Sequence, residues 1–389
     1  MSRRAAVIVL DGVGIGEAPD AAAYGDRGSD TLGNLAHAVG GLDLPNLAAA
    51  GLGRIKPLAG VEAVARPRGA WGTLIPRSAG KDSTTGHWEI AGVQLARPFP
   101  TYPGGFPAAV IAEFARRTGR PVIGNLAGSG TAVLERYGPE HERTGSWIVY
   151  TSADSVFQVA SHEGVVPLAE LYAACETARA MLVPPHDLVR VIARPFTGSA
   201  GAYTRTAHRR DYSIVPPAET LLDALAAAGI PRVGVGKVDD LFAGRGITAR
   251  HTGDNAEGLA AIAEGLRTME SGFLFANLVD FDQLWGHRND TVGFHQGLRA
   301  FDRALPDLER LLREDDLLFL TADHGNDPTT PTSDHSRERV PLLALGRRVR
   351  AVALGERSTF ADLGATVAEW LGVSFRGAGT SFLRALVGA

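Results

Sequence analysis

Leu320-Thr321-Ala322-Asp323-His324-Gly325-Asn326 closes a short apolar run with an aspartate and a histidine, and eleven residues beyond His324 stands His335, behind Asp334. Two other stretches repeat the pattern. Val7-Ile8-Val9-Leu10 runs directly into Asp11, and the apolar segment 273–279 precedes Asp282-Gln283-Leu284-Trp285-Gly286-His287. The strand-like segments 5–10, 273–279 and 317–321 thus each deliver a carboxylate at their far end. Strands that alternate with helices build a mostly parallel sheet covered on both faces, and functional residues in such sheets gather beyond the carboxyl ends of the strands.

The alternation continues through the sequence. Amphipathic helices are expected over 219–229, 254–269, 293–312 and 361–371, with strands at 232–236 and 341–345 between them. The first of these helices ends at Gly229 with Pro231 beyond, the usual C-terminal punctuation. From about 97 to 216 the texture changes, opening with the Pro/Gly-rich Arg97-Pro-Phe-Pro-Thr-Tyr-Pro-Gly-Gly-Phe106 and closing at Ile214-Val215-Pro216. No Asp-His pair occurs there. We read 97–216 as a second, α+β domain inserted into a catalytic core made of 1–96 and 217–389.

Composition narrows the function. With 389 residues, 45% hydrophobic and 21% charged, the chain has an ordinary globular make-up. A net charge of −4 supplies no field for a polyanion, so nucleic acid is not an expected partner. No apolar run approaches the roughly 20 residues that span a bilayer. The apolar stretch near the N-terminus is too short for a signal-peptide core, so a cytoplasmic, membrane-free protein is expected. The single cysteine, Cys175, lies among helix formers and reads as a buried structural thiol.

One Asp-His pair alone would be a loop carboxylate beside a surface imidazole. Asp11, Asp282 with His287, Asp323-His324 and His335 together suggest ligands for two divalent cations, which sit about 3.5–4 Å apart in two-metal sites. Oxygen mixed with imidazole suits Mn²⁺, Zn²⁺ or Fe²⁺ better than Ca²⁺. A nucleophile is offered by Gly80-Lys81-Asp82-Ser83-Thr84-Thr85-Gly86-His87-Trp88-Glu89, a polar loop in which Ser83, Thr84 and Thr85 all carry hydroxyls. No Gly-x-Ser-x-Gly elbow surrounds Ser83, so activation by metal fits better than a Ser-His-Asp triad. Asp11-Gly12-Val13-Gly14-Ile15-Gly16 resembles a dinucleotide fingerprint but has the wrong glycine spacing; we read the glycines as room for backbone to pass close to a phosphate.

Several of these stretches resemble the prokaryotic phosphopentomutases of the alkaline phosphatase superfamily. They are Asp11-Gly-Val-Gly-Ile-Gly-Glu-Ala-Pro-Asp20, the loop from Lys81 to Glu89, Tyr150-Thr-Ser152-Ala-Asp154-Ser155, the stretch Asn277–His287, and Thr321-Ala-Asp323-His324-Gly-Asn-Asp-Pro328. The resemblance implies an alkaline-phosphatase-like core with an inserted substrate-binding cap. It implies one cation held by Asp282, His287 and His335, the other by Asp11, Asp323 and His324, and Mn²⁺ as the metal. The attacking residue in this family follows a Lys-Asp pair and is usually threonine; here that position is Ser83, a departure. Phosphosugar contacts are implied for Ser152, Asp154, Arg190, Ile192 and Arg205, with Lys237 contributed by the core. The implied reaction interconverts α-D-ribose 1-phosphate and D-ribose 5-phosphate, and the 2-deoxyribose pair, by way of a phosphorylated serine and a 1,5-bisphosphate. A sugar bisphosphate, glucose 1,6-bisphosphate or ribose 1,5-bisphosphate, would prime it. The alternatives within the superfamily are a cofactor-independent phosphoglycerate mutase and a metal-dependent phosphatase.

Overall fold

The computed structural model describes residues 3–152 and 154–388, so Ala153 of the Ser-Ala-Asp stretch and the first two residues of the N-terminal segment lie outside the described residues. The chain forms two compact units, Met1–Pro98 with Pro216–Ala389, and Phe99–Val215.

Strands are numbered along the chain. In the first unit they are β1 (Arg4–Leu10), β2 (Ala70–Leu74), β9 (Arg232–Val235), β10 (Ala249–Arg250), β11 (Gly272–Leu278), β12 (Asp316–Thr321), β13 (Val340–Leu345) and β14 (Ala353–Arg357). They make one sheet in the order β10-β9-β11-β1-β12-β13-β2-β14. Most neighbours run parallel; β13 alone runs against β12 and β2. Every residue of β1, β11, β12 and β13 is buried, as continuous aliphatic runs covered on both faces require.

Register decides where the chemistry goes. Leu10 pairs with Leu278 and Val9 with Thr321, so β1, β11 and β12 end level with one another. Asp11, Asp282 and Asp323 therefore emerge at one edge of the sheet. At the opposite end, Arg4 pairs across the sheet with Asp316, its Nε donating to Oδ1 at 2.9 Å, which satisfies two charges buried at the strand starts.

The helices follow their caps and their apolar stripes. In Thr291–Arg310 the buried Phe294, Leu298, Phe301, Leu305 and Leu308 recur every three or four residues, and the Asp290 side chain caps its first turn. Asp254 and Asp82 cap Asn255–Thr268 and Ser83–Ile90 in the same way, and Thr220 with Asp223 forms a capping box for Leu221–Ala227. No helix among the described residues is long and apolar enough to cross a membrane.

The second unit holds β3 (Val122–Ala127), β4 (Trp147–Thr151), β5 (Val156–His162), β6 (Arg190–Thr197), β7 (Thr204–Arg205) and β8 (Arg210–Ser213). Their order is β3-β4-β5-β6-β7, with β8 also pairing β6. Trp147, Val149, Phe157, Val159, Val191 and Ala193 face helices Ala108–Thr118 and Leu168–Met181, where Cys175 is fully buried. Burial pushes its thiol well above the usual range, so it is inert packing. On the other face, Ile148, Tyr150 and Ala160 pack against Val133 and Leu134 of helix Gly130–Thr144.

Candidate metal centre and nucleophile

Asp11, Asp282, Asp323 and His324 are all buried at the shared strand edge. Asp282 sits in a single π-turn, Phe281–Trp285, and His287 in the 3₁₀ turn that follows; π-turns of this kind concentrate at functional sites. The Nε2 atoms of His287 and His335 lie 3.3 Å from Oδ2 and 3.2 Å from Oδ1 of Asp282. His324 Nε2 lies 3.2 Å from Oδ1 of Asp11 and 3.5 Å from Oδ2 of Asp323. The His324 and His335 ring centres are 4.1 Å apart, so the two clusters are contiguous.

Cations fit this donor set for three reasons. The ligand atoms of Asp282, His287 and His335 lie within 4.8 Å of one another, as do those of Asp11, Asp282 and His324. The Nδ1 atoms of His287 and His324 lie 2.6 Å and 3.0 Å from the Ser333 and Gly325 carbonyls, which fixes the proton on Nδ1 and leaves Nε2 as the ligating atom. Among the described residues, Oδ2 of Asp323 and Nε2 of His335 are buried without a well-formed hydrogen bond, their nearest polar contacts being His87 Nδ1 at 3.1 Å and Asp282 Oδ1 at 3.2 Å.

The electrostatics agree. Burial, then repulsion from Asp323 and Asp282, raises the carboxyl of Asp11. Burial also opposes ionisation of Asp282, yet His335, His287 and His324 outweigh it and hold that carboxyl well below the usual range. His324 rises well above an ordinary imidazole because Asp323, Asp11 and Asp282 overcome its burial. Hydrogen bonding to Asp282 takes His287 to about 9. Three carboxylates crowded together favour protons on the neighbouring histidines, and divalent cations in their place would neutralise the carboxylates.

Ser83 opens its helix beside this cluster. Its hydroxyl donates to Asp11 Oδ1 at 3.3 Å and lies 3.1 Å from His324 Nε2. Thr85 is otherwise engaged, its hydroxyl donating to Asp82 Oδ2 at 2.5 Å and its amide to Oδ1 at 3.0 Å. Of the hydroxyls in this loop, that of Ser83 thus lies against the ligand cluster and that of Thr85 is held by Asp82.

Several supporting residues have no individual role in the sequence reading. Asn277 donates to Asp11 Oδ2 at 2.9 Å, and Asn326 to Asp282 Oδ1 at 2.7 Å. His87, fully buried, holds Nδ1 2.9 Å from the Ser83 carbonyl and 3.1 Å from Asp323 Oδ2. Arg337, also buried, donates to the carbonyls of Pro76, Ser78 and Gly80 and to both oxygens of Asp20. It thereby ties the segment before Ser83 to the loop carrying His335. Lys81 bridges Asp26 and Asp334 at 3.1 Å and 3.4 Å. In the glycine-rich loop, Gly14 makes room for a side chain. A Cβ on Gly14 would stand 2.2 Å from Glu338 Oε2, so here the missing side chain admits the Glu338 carboxylate.

In the second unit, Ser152 and Asp154 share hydrogen bonds of 3.3 Å and 3.4 Å in the turn after β4. Arg190 and Ile192 are on β6, where Ile192 is buried and Arg190 reaches Asp211 at 3.5 Å. Arg205 is exposed on β7. In the first unit, Lys237 follows β9 and donates to the Gln283 side chain.

Residues 3–375 match the Metalloenzyme superfamily. A Leishmania mexicana phosphoglycerate mutase structure shares the fold at TM-score 0.51 and 12% identity, over 98% of this chain and 97% of that one. The phosphopentomutase of Anaeromyxobacter dehalogenans is 55% identical over 98% of this chain and 99% of its own. That of Carboxydothermus hydrogenoformans is 53% identical over 98% of each chain. With more than half its residues shared along nearly the full length of both relatives, the chain belongs to the phosphopentomutase family, isomerases that transfer a phosphoryl group within one substrate skeleton.

Proposed function

We propose that the protein interconverts α-D-ribose 1-phosphate and D-ribose 5-phosphate, and the corresponding 2-deoxyribose phosphates, through a phosphorylated Ser83. The observation that carries this reading is the placement of the Ser83 hydroxyl 3.1 Å from His324 and 3.3 Å from Asp11, inside the ligand cluster.

In the working form Ser83 Oγ bears the phosphoryl group. The free hydroxyl of a bound pentose phosphate attacks phosphorus and loses its proton; the P–Oγ bond breaks, a proton is taken up by the departing Ser83 Oγ, and a 1,5-bisphosphate results. Ser83 Oγ then takes the other phosphoryl group, releasing the isomeric monophosphate and restoring the phosphoserine. Two divalent cations, proposed as Mn²⁺ and held by Asp11, Asp323 and His324 and by Asp282, His287 and His335, would offset charge on the phosphoryl and serine oxygens. His87 holds the start of the Ser83 helix against Asp323, and Asp82 caps it, so Oγ is positioned before substrate arrives. Phosphosugar recognition is assigned to Ser152, Asp154, Arg190, Ile192, Arg205 and Lys237, because guanidinium and ammonium groups match phosphate oxygens. Priming by glucose 1,6-bisphosphate or ribose 1,5-bisphosphate would load Ser83.

Product analysis tests the reading. Mn²⁺-loaded protein is given α-ribose 1-phosphate with a trace of glucose 1,6-bisphosphate and followed by phosphorus NMR. Ribose 5-phosphate with little free phosphate is the expected outcome; free phosphate alone would make the protein a phosphatase and sink the mutase reading.

A further inference from the structure

The second unit carries an excess of positive charge on one face of its sheet. Tyr150 pairs with Gln158, Gln158 with Ile192, and Ile192 with Asp211, so these four residues form one row across β4, β5, β6 and β8. Arg194 lies two residues beyond Ile192 on the same strand and so faces the same side. It is half-buried, and its Nε donates to the buried Gln158 Oε1 at 3.0 Å.

Among the described residues, no carboxylate forms an ion pair with Arg194 or with Arg205. Arg209 does have one, donating to both oxygens of Asp211 at 2.6 Å and 2.7 Å. The Arg205 guanidinium lies so close to Gly130 that a Cβ there would stand 1.6 Å from Nη2 and 2.8 Å from the Tyr150 hydroxyl. Glycine at 130 therefore keeps open the spot where guanidinium and phenol meet. The Tyr150 hydroxyl is buried where the Arg205 guanidinium reaches it, and Arg194 and Arg209 also act on it electrostatically.

A half-buried guanidinium that makes no ion pair is costly; attraction to Asp211, already bonded to Arg209, offsets this only in part, and two more guanidiniums beside it add repulsion. Burial, with Arg209 and Arg205 adding repulsion, lowers the hold of Arg194 on its proton. An incoming dianion would remove that strain, since planar guanidinium forks match phosphate oxygens.

We propose that Arg194, Arg205 and Arg209, with the Tyr150 hydroxyl, form a phosphate-binding cradle on this face, and that Arg194, oriented by Gln158, is its innermost charge. The proposal rests on the phosphopentose reading for the identity of the ligand and adds Arg194, Arg209, Gln158 and Tyr150 to its recognition. The bound group is the phosphate monoester of the sugar phosphate.

The test uses full-length protein carrying Ser83→Ala, which removes turnover, and measures binding of ribose 5-phosphate and of inorganic phosphate by calorimetry. Adding Arg194→Met should weaken both ligands on the order of ten- to a hundred-fold. Arg194→Lys, which keeps the charge without the fork, should fall between. Arg116→Met, on an exposed helix of the same unit, should leave binding within about twofold of the parent. Arg194 variants that bind both ligands as the parent does, or a parent that binds neither, would overturn the cradle. Arg194-dependent phosphate binding in a protein that shows no pentose phosphate interconversion would uphold the cradle while the mutase reading fell.

Discussion

Ser83 Oγ and His324 Nε2 lie 3.1 Å apart, although 241 residues separate them in the chain. The helix that presents the serine and the strand end that presents the histidine meet at the edge where β1, β11 and β12 stop level. Replacing Ser83 with alanine should therefore remove phosphoryl exchange by a factor of about 10⁴ or more. Ser83 is only half-buried, so the fold and the metal content should be unchanged. Metal analysis beside a phosphoryl-exchange assay checks both parts. Turnover retained in the alanine variant would move the role to Thr84 or Thr85.

Much of this site was legible because its chemistry sits at strand ends. Apolar runs broken by aspartate located Asp11 and Asp323 along the chain, and the buried sheet explains why such runs have no alternation. Asp82 was legible only as part of a polar loop, yet as a helix cap it sequesters Thr85, which local composition does not reveal. Arg337 was illegible for a different reason. Its partners at Pro76, Ser78 and Gly80 lie about 260 residues away in sequence, and no local pattern encodes such a contact. The same holds for Asn277, which reads as an ordinary strand residue until Asp11 is placed beside it. A cluster of the half-buried Asp239 with the exposed Asp240 and His251 also has metal-ligand spacing, but Asp239 is already bonded to His251 and to the Ala249 amide.

The cap at Asp82 can be weighed separately from the chemistry. Asp82→Ala removes the acceptor for the Thr85 amide and hydroxyl and should cost about 0.5–2 kcal/mol of stability. Urea unfolding measures that cost. Activity should fall as well, since the first turn carries Ser83. An asparagine, which can still accept from the amide, should recover most of the stability. A variant with Asp82→Ala that unfolds like the parent would show that the cap does not hold this turn.

Arg337 acts at longer range. Truncation to methionine leaves three carbonyls without their donor and should destabilise the protein by about 3 kcal/mol or more. Lysine keeps the charge but cannot reach Pro76, Ser78, Gly80 and both Asp20 oxygens together, so it should recover only part of the loss. Denaturant midpoints with unchanged m-values would report this cleanly. A methionine variant as stable as the parent would mean that the segment before Ser83 is held by other contacts.

Metal affinity should depend on pH with a definite sign. Asp282 raises His287 to about 9, and Asp323, Asp11 and Asp282 raise His324 well above its usual value, so the metal-free cluster favours the protonated form of both. A cation must displace those protons. Apparent affinity for Mn²⁺ should therefore rise with pH by up to about tenfold per unit for each proton released, until the pH passes the raised values. Stability of the chelated protein should move the other way. The raised value of His287 stabilises the fold fully below its unfolded value of 6.5, and that contribution is lost as pH rises through about 9. Titrations of chelated protein with Mn²⁺ from pH 6 upward, paired with thermal melts, test the two trends together. Affinity that stays flat with pH would mean that the histidines carry no protons to displace, and that the carboxylates do not govern the cluster.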